Sequence, residues 1–216
     1  MITFRETILS RYRSNPRPMP WRETYDPYRI LVSEFMLQQT QVERVMGKYG
    51  GFIDRFPDFR TLSDASLAHV LEAWQGLGYN RRARALHQTA TIVVERFGEI
   101  LPSDPHILET LPGIGHTPAR AIAAFAFGVP SSFIETNIRR VYIHFFFEGR
   151  ENVSDRDILP VAEAALDREN PRDWHYALMD YGVMLGRTIP NPNIKSTRHR
   201  RQSPFEGSLR QVRGAL

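Results

Sequence analysis

Apolar positions recur along the chain at helical spacing, and helix breakers cut them into a succession of segments. Residues 3–13 read as a short amphipathic helix that stops at Asn15-Pro16, after which Pro16, Pro18 and Pro20 set an extended arm leading to Trp21-Arg22. From Tyr28 to about Tyr49, the positions Ile30, Leu31, Phe35, Leu37, Val42 and Val45 fit one mostly buried helix better than a strand. Pro57 ends the following segment, Ser63 is placed to cap a helix running through Trp74, and Gly76-Leu77-Gly78 turns the chain into a long helix that Gly98 stops after Phe97. Asp104 to Thr110 gives a short helix, and Pro118 to Phe127 an alanine-rich one closed by Gly128. Thr136 or Asn137 can cap the next helix, which carries the apolar run Val141 to Phe147. Ser154-Asp155-Arg156-Asp157 starts another in the manner of a capping box, ending near Asn170-Pro171, and a last helix runs from about Arg172 to Leu185. No segment alternates as a strand does, and no repeat occurs at solenoid periods. The pattern predicts an all-α fold.

Composition bounds the rest. The 216 residues suffice for one large domain or two small lobes sharing a cleft. Hydrophobic content is 42% without an apolar run of membrane-spanning length, so a soluble protein is expected. Arg5-Glu6 stand where a signal peptide would need its apolar stretch, which favours the cytoplasm. The absence of cysteine removes disulfides, thiolate nucleophiles and Cys-ligated clusters, and the seven His show no HExxH spacing, so no metal is expected. From Arg187 onward, seven Lys/Arg stand against the single acid Glu206, in a chain of net charge +4. Such a tail is either a solubilising end or a phosphate contact.

Three places carry candidate chemistry. Gly113-Ile114-Gly115, between two helical segments, lets the backbone turn tightly and leaves amides bare at a helix start, where phosphate is attracted. An ordinary helix-turn-helix corner would read the same. Glu34 lies between Val32-Ser33 and Phe35-Met36-Leu37, surroundings that disfavour its charged form and suit a proton donor, unless it turns to solvent or pairs with an arginine. Glu135 stands just ahead of a helix start, where the positive end of the dipole suits an ionised carboxylate, whether for chemistry or for capping alone. Two carboxylates in different environments can divide the work of breaking a bond to a sugar, one as acid and one as charge stabiliser.

The run Ser33-Glu34-Phe35-Met36-Leu37-Gln38-Gln39-Thr40-Gln41-Val42, then Gly76-Leu77-Gly78-Tyr79 with Arg82-Ala83-Arg84, then Leu111-Pro112-Gly113-Ile114-Gly115, resembles the helix-hairpin-helix DNA glycosylase superfamily. Glu34 with the double glutamine is most similar to its adenine glycosylase branch, and the similarity covers roughly residues 18 to 185. The resemblance implies two helical lobes flanking a DNA-binding cleft. One is a six-helix barrel containing the hairpin, over residues 22–130; the other joins residues 1–21 to 131–188, and residues 189–216 form the basic tail.

It also implies roles. Glu34 matches the acid that protonates adenine, Glu135 the position of the family's catalytic Asp, and Asn137 an Asn beside that site. Thr117 stands where lyase members hold a Lys nucleophile, so a monofunctional enzyme using water, without β-lyase activity, is expected. Trp21 and Arg22 match residues near the flipped base; Gln38, Gln39, Leu77 and Tyr79 match duplex-filling positions. Gly113 and Gly115 match the phosphate-binding hairpin, where a monovalent cation is often held. The implied partner is double-stranded DNA with a mispaired or damaged base, met by a monomer associated with the nucleoid if prokaryotic. Three departures stand out: Glu replaces Asp at 135, the cluster cysteines are missing, and the C-terminal domain that reads oxidised guanine has no counterpart in these residues. The expected activity is excision of adenine opposite 8-oxoguanine or guanine; a thymine or uracil mismatch glycosylase and a non-catalytic damage-binding protein are the alternatives.

Overall fold

A computed structural model describes residues 2–199; the tail arginines 200, 201, 210 and 213 lie outside them. The helices are α1 (Ile2–Ser14), α2 (Pro27–Leu37), α3 (Val42–Arg55), α4 (Phe59–Asp64), α5 (Leu67–Ala73) and α6 (Arg81–Phe97). There follow α7 (Pro105–Leu108), α8 (His116–Phe127), α9 (Thr136–Phe146), α10 (Asp155–Ala165) and α11 (Pro171–Thr188), with 3-10 turns at Pro20–Arg22 and Pro192–Lys195. There is no strand among the described residues, only an isolated bridge between Val153 and Ser196. The fold is all-α, and among the described residues no helix is long and apolar enough to cross a membrane.

Local chemistry explains most boundaries. Asp26 caps α2 by accepting from the Tyr28 and Arg29 amides, with Pro27 at the first position. Gly98 and Gly128 close α6 and α8 in the left-handed region, and Ser154 with Asp157 forms the expected capping box of α10.

Four boundaries differ from the sequence expectation. The helix read from Tyr28 to Tyr49 is two, α2 and α3, because the chain turns at Gln38–Gln41 with Gln39 at φ 56°. The helix expected from Ser63 is also two, α4 capped by Asp58 and α5 capped by Ser66. Helix α10 stops at Ala165, before Asn170, and Arg5 of α1 donates to the Ala165 and Leu166 carbonyls at its end. The cap of α9 is Glu135 itself rather than Thr136 or Asn137.

Two hydrophobic cores result. One is built from α2 to α8 around Trp74, Phe52, Leu86 and Ile122; the other joins α1 to α9, α10 and α11 around Trp174, Tyr142 and Ile158. Helices α2 and α8 serve both: Leu31, Phe35 and Met36 of α2 face the first core while Ile30 faces the second, and the alanines of α8 divide likewise. Arg172 of α11 staples the junction, donating to the carbonyls of Phe125, Arg22 and Thr24. The groove between the cores is bounded by the end of α2, the start of α9 and one face of α11.

Candidate active site

Because α2 is apolar almost all round, its last turn carries Glu34 into the groove between buried Ser33 and Phe35. At the start of α9, Glu135 approaches from the other side, and the two acids line one pocket of about 430 Å³. Trp21, Leu37, Val42 and Tyr176 supply much of its apolar wall. That wall sets the proton affinity of Glu34: burial, with a smaller push from the Glu135 charge, raises its pKa from 4.5 to about 7. A carboxyl so placed holds a proton near neutral pH and can give it up to a bound base.

Glu135 is held differently. Its Oε1 accepts from the Ile138 amide at 2.7 Å and Oε2 from Asn137 Nδ2 at 3.3 Å, so the longer side chain curls back into the capping geometry an aspartate would take. Burial raises its pKa above the ordinary value, and the Asn137 and Ile138 backbone with Arg139 and Arg140 offset only part of that rise. The two acids therefore differ in kind: one has no donor to stabilise its charge, the other has a helix terminus and two arginines.

Behind Glu135 lies a chain of side-chain bonds. Arg140 Nη1 donates to Asn137 Oδ1 at 3.0 Å and also to the Gly182 carbonyl, while its Nε donates to Asn191 Oδ1 at 3.1 Å. Asn193 Nδ2 donates to the Thr136 carbonyl at 2.9 Å, so the segment after α11 is tied to the start of α9. The close passage of α9 over α11 depends on Gly182, since a Cβ there would collide with the Asn137 backbone.

The far wall is cationic. Arg22 forks onto Asp180 at 2.8 and 3.0 Å, its side chain only 7% exposed, and its guanidinium lies 4.3 Å from the centre of the Tyr176 ring. Tyr176 is itself fixed by stacking on Phe125 at 4.3 Å. Arg17 reaches the same Asp180 at 3.4 Å, and Arg17 and Arg187 both border the pocket.

Of the residues singled out from sequence, Trp21, Arg22, Glu34, Glu135 and Asn137 meet at this pocket. Thr117, in the first turn of α8, is not among its lining residues. Gln38 donates to the Gly113 carbonyl at 3.1 Å, bringing the turn after α2 against the hairpin, while Gln39 is exposed. Gly113 and Gly115 are both exposed at the start of α8, and a Cβ on Gly113 (φ 79°) would meet Phe35 and Ala85 at 2.8 Å. Leu77 is a correction: it is 2% exposed and belongs to the first core, so its side chain is not a surface wedge, whereas Tyr79 beside it is 55% exposed. Among the described residues, no group of three or more His, Cys, Asp or Glu could hold a metal.

Tyr176, Arg140 and Gly182 were not anticipated from the sequence. A Gly182–Gly186 pair at helical spacing marks a close helix approach, but Arg140 and Tyr176 look like ordinary surface and core positions until α9 and α11 are packed.

Comparison with known proteins places this arrangement. Residues 32–162 match the family described as HhH-GPD superfamily base excision DNA repair protein. The adenine DNA glycosylase of Mycobacterium tuberculosis (strain CDC 1551 / Oshkosh) is 37% identical over 97% of this chain and 75% of its own length. The human adenine DNA glycosylase is 35% identical over 86% of this chain, which spans 36% of the human protein. Among solved structures, a thermostable thymine-DNA glycosylase superposes with TM-score 0.76 at 27% identity, over 85% of this chain and 86% of that one. A trapped endonuclease III–DNA covalent intermediate superposes with TM-score 0.72 at 16% identity, over 94% and 88%.

Proposed function

The chain belongs to the HhH-GPD superfamily of base excision DNA repair proteins and is a DNA glycosylase, and we propose that it removes adenine mispaired with 8-oxoguanine or guanine by hydrolysis alone. The observation that carries this reading is the pair of unlike carboxylates on one pocket, of which Glu34 keeps its proton up to about pH 7.

In the proposed reaction the Glu34 carboxyl passes its proton to a ring nitrogen of the extruded adenine. The bond from C1′ to the base then breaks, and its electron pair leaves with the neutral base. Glu135, ionised at the helix terminus, faces the positive charge that develops on the sugar. Water adds to C1′, and the proton it sheds goes to Glu135. Thr117 offers no amine for a Schiff base, which supports a single activity without strand cleavage. A purine leaving group gains from ring protonation, whereas a pyrimidine needs mainly hydrogen bonds to its carbonyls, so Glu34 favours adenine over the thymine or uracil alternative suggested by the thymine-DNA glycosylase fold.

The two cores support a division into a barrel lobe, residues 22–130, and a second lobe of 1–21 with 131–188, with the duplex across the groove. The exposed glycines of the hairpin suit a DNA phosphate. A monovalent cation there would share the Gly113 carbonyl with Gln38, which that oxygen's second lone pair permits. We further take the enzyme as a monomer acting in the cytoplasm or at the nucleoid. The test is a panel of labelled duplexes bearing A opposite 8-oxoguanine, A opposite G, T opposite G and U opposite G, treated with alkali after incubation. Breaks in the adenine duplexes only after alkali are expected. Cleavage confined to T or U duplexes moves the enzyme to the other specificity, breaks before alkali refute the monofunctional reading, and saturated binding without cleavage leaves a damage-binding protein.

A further inference from the structure

A guanidinium has five donors in a rigid plane and does not lose its charge, so burying one without a carboxylate requires a full set of neutral acceptors. Arg82, in the first turn of α6, comes close to this: neutral acceptors take up both terminal nitrogens, and only its Nε–H is left without a partner among the described residues. Arg82 is 5% exposed, and the charged or titratable groups around it are Tyr79 and Arg81, with no carboxylate among the described residues. Nη1 donates to the carbonyls of Phe35 and Met36 at 2.9 Å and of Gln38 at 2.6 Å; Nη2 donates to Thr40 Oγ1 at 2.9 Å and to the carbonyls of Leu77 and Gly78 at 3.0 Å. Trp74, which donates to the same Gly78 carbonyl, lies beside the guanidinium at 5.4 Å.

These acceptors come from the last turn of α2 and from two loops that otherwise meet through a hydrogen bond of 3.5 Å from Thr40 Oγ1 to the Leu77 carbonyl. One is the turn after α2, whose tip Gln39 is exposed at φ 56°; the other is the turn before α6, whose tip Tyr79 is exposed at φ 50°. Both tips are non-glycine residues in the left-handed region, a conformation that persists only where the surroundings enforce it. The carbonyls left open at the end of α2 also point at the same cation, so one side chain caps that helix and ties both loops to it.

We infer that Arg82 is a positioning residue, a buried clasp that sets the Gln39 and Tyr79 tips at a fixed separation so that both engage the duplex together when a base is extruded. The inference rests on the glycosylase reading above, in which those tips meet DNA. Extruding a stacked base requires something to occupy the gap, and two probes held by one rigid fork keep their spacing under that load. A base that is already unstacked makes no such demand.

The test is Arg82→Lys, which keeps the charge but has a single nitrogen that cannot span two loops. Single-turnover excision at saturating enzyme is compared on a fully paired A·G duplex and on the same adenine placed in a bulge. The expected result is a fall of about 10-fold or more on the paired substrate and less than about 3-fold on the bulged one. In parallel, a duplex carrying 2-aminopurine at the target position reports unstacking without excision, and the variant should bind it with a smaller fluorescence rise. Equal losses on both substrates, or full unstacking by the variant, would overturn the clasp. If Arg82→Lys does not fold, Thr40→Val removes one acceptor while keeping the shape, and should show the same split at smaller amplitude; no split there overturns the inference equally. Wild-type inactivity on every adenine substrate would instead sink the adenine reading, while the fluorescence comparison would still judge the clasp.

Discussion

At the scale of single residues, burial raises the pKa of both carboxylates, but only Glu135 has a helix terminus and two arginines to offset it. Glu34 is buried and meets the like charge of Glu135, so its proton stays on up to about pH 7. In the proposed reaction the acid form is the active one, so turnover should fall as pH rises through about 7, and Glu34→Gln should cost about 100-fold or more and abolish that limb of the profile. The same shift acts on stability. Between its ordinary value of 4.5 and about 7, the folded state holds a proton the unfolded chain has lost, so stability drops as pH rises across that window. Glu34→Gln should then raise the stability of the free protein at pH 8 by about 1 to 3 kcal/mol while destroying activity, a pairing read by denaturant titration beside the rate assay. Much of this was legible in the sequence, because a lone acid among Val, Phe, Met and Leu in a helix that is apolar almost all round has few wet places to go. Less legible was Glu135: with Thr136 and Asn137 next to it, the usual capping preferences point one or two residues too late, and only the packed helix shows the longer carboxylate taking that role. Leu77 is given as duplex-filling by the resemblance alone, which matches positions and not the local turn, and that turn sends Leu77 inward and Tyr79 outward.

At the scale of elements, the placement of Glu135 proposed for catalysis depends on how α9 is seated on α11 and on the segment that follows it. Arg140 holds Asn137 and the Gly182 carbonyl on one side and Asn191 on the other, and its charge lowers the proton affinity of Glu135. Removing it should raise the Glu135 pKa further, so that the ionised form appears only at higher pH. Arg140→Ala should accordingly lose more rate at pH 6 than at pH 8, whereas a merely structural loss would be uniform; rate profiles over that range decide between them. Gly182→Ala makes a steric counterpart: one methyl must displace the Asn137 backbone, with an expected loss of about 1 to 3 kcal/mol from overpacking. The accompanying shift of Glu135 by a fraction of an ångström to about 1 Å should cost up to about 100-fold in turnover with duplex affinity preserved. Helix identity was readable from apolar spacing and from Gly98, Gly128 and Ser154 as punctuation. The break at Gln38–Gln41 was not, since glutamines tolerate a helix interior and the guanidinium that takes up the Gln38 carbonyl there comes from 44 residues away along the chain.

At the scale of the whole molecule, two cores share α2 and α8, and the groove between them takes its chemistry from both sides. That arrangement follows from sequence only through the likeness of spaced motifs, because nothing in local periodicity says that residues 34 and 135 will face one another. Charge was more legible in amount than in place. Of the basic residues from 187 onward, Arg187 borders the pocket, whereas Arg198 pairs with Asp155 at 2.8 Å and Lys195 turns to the Glu148 carbonyl. The three should thus separate in a salt titration of duplex binding. Each phosphate contact contributes a slope of roughly 0.9 in log affinity against log salt, so Arg187→Ala should flatten the dependence by about 1 and weaken all duplexes alike. Arg198→Ala, whose charge is already engaged by Asp155 at the start of α10, should leave the slope within error of wild type. An equal flattening by both variants would mean that the Arg198 ion pair opens on binding, and that the segment after α11 contacts the phosphate backbone as well as bracing the start of α9.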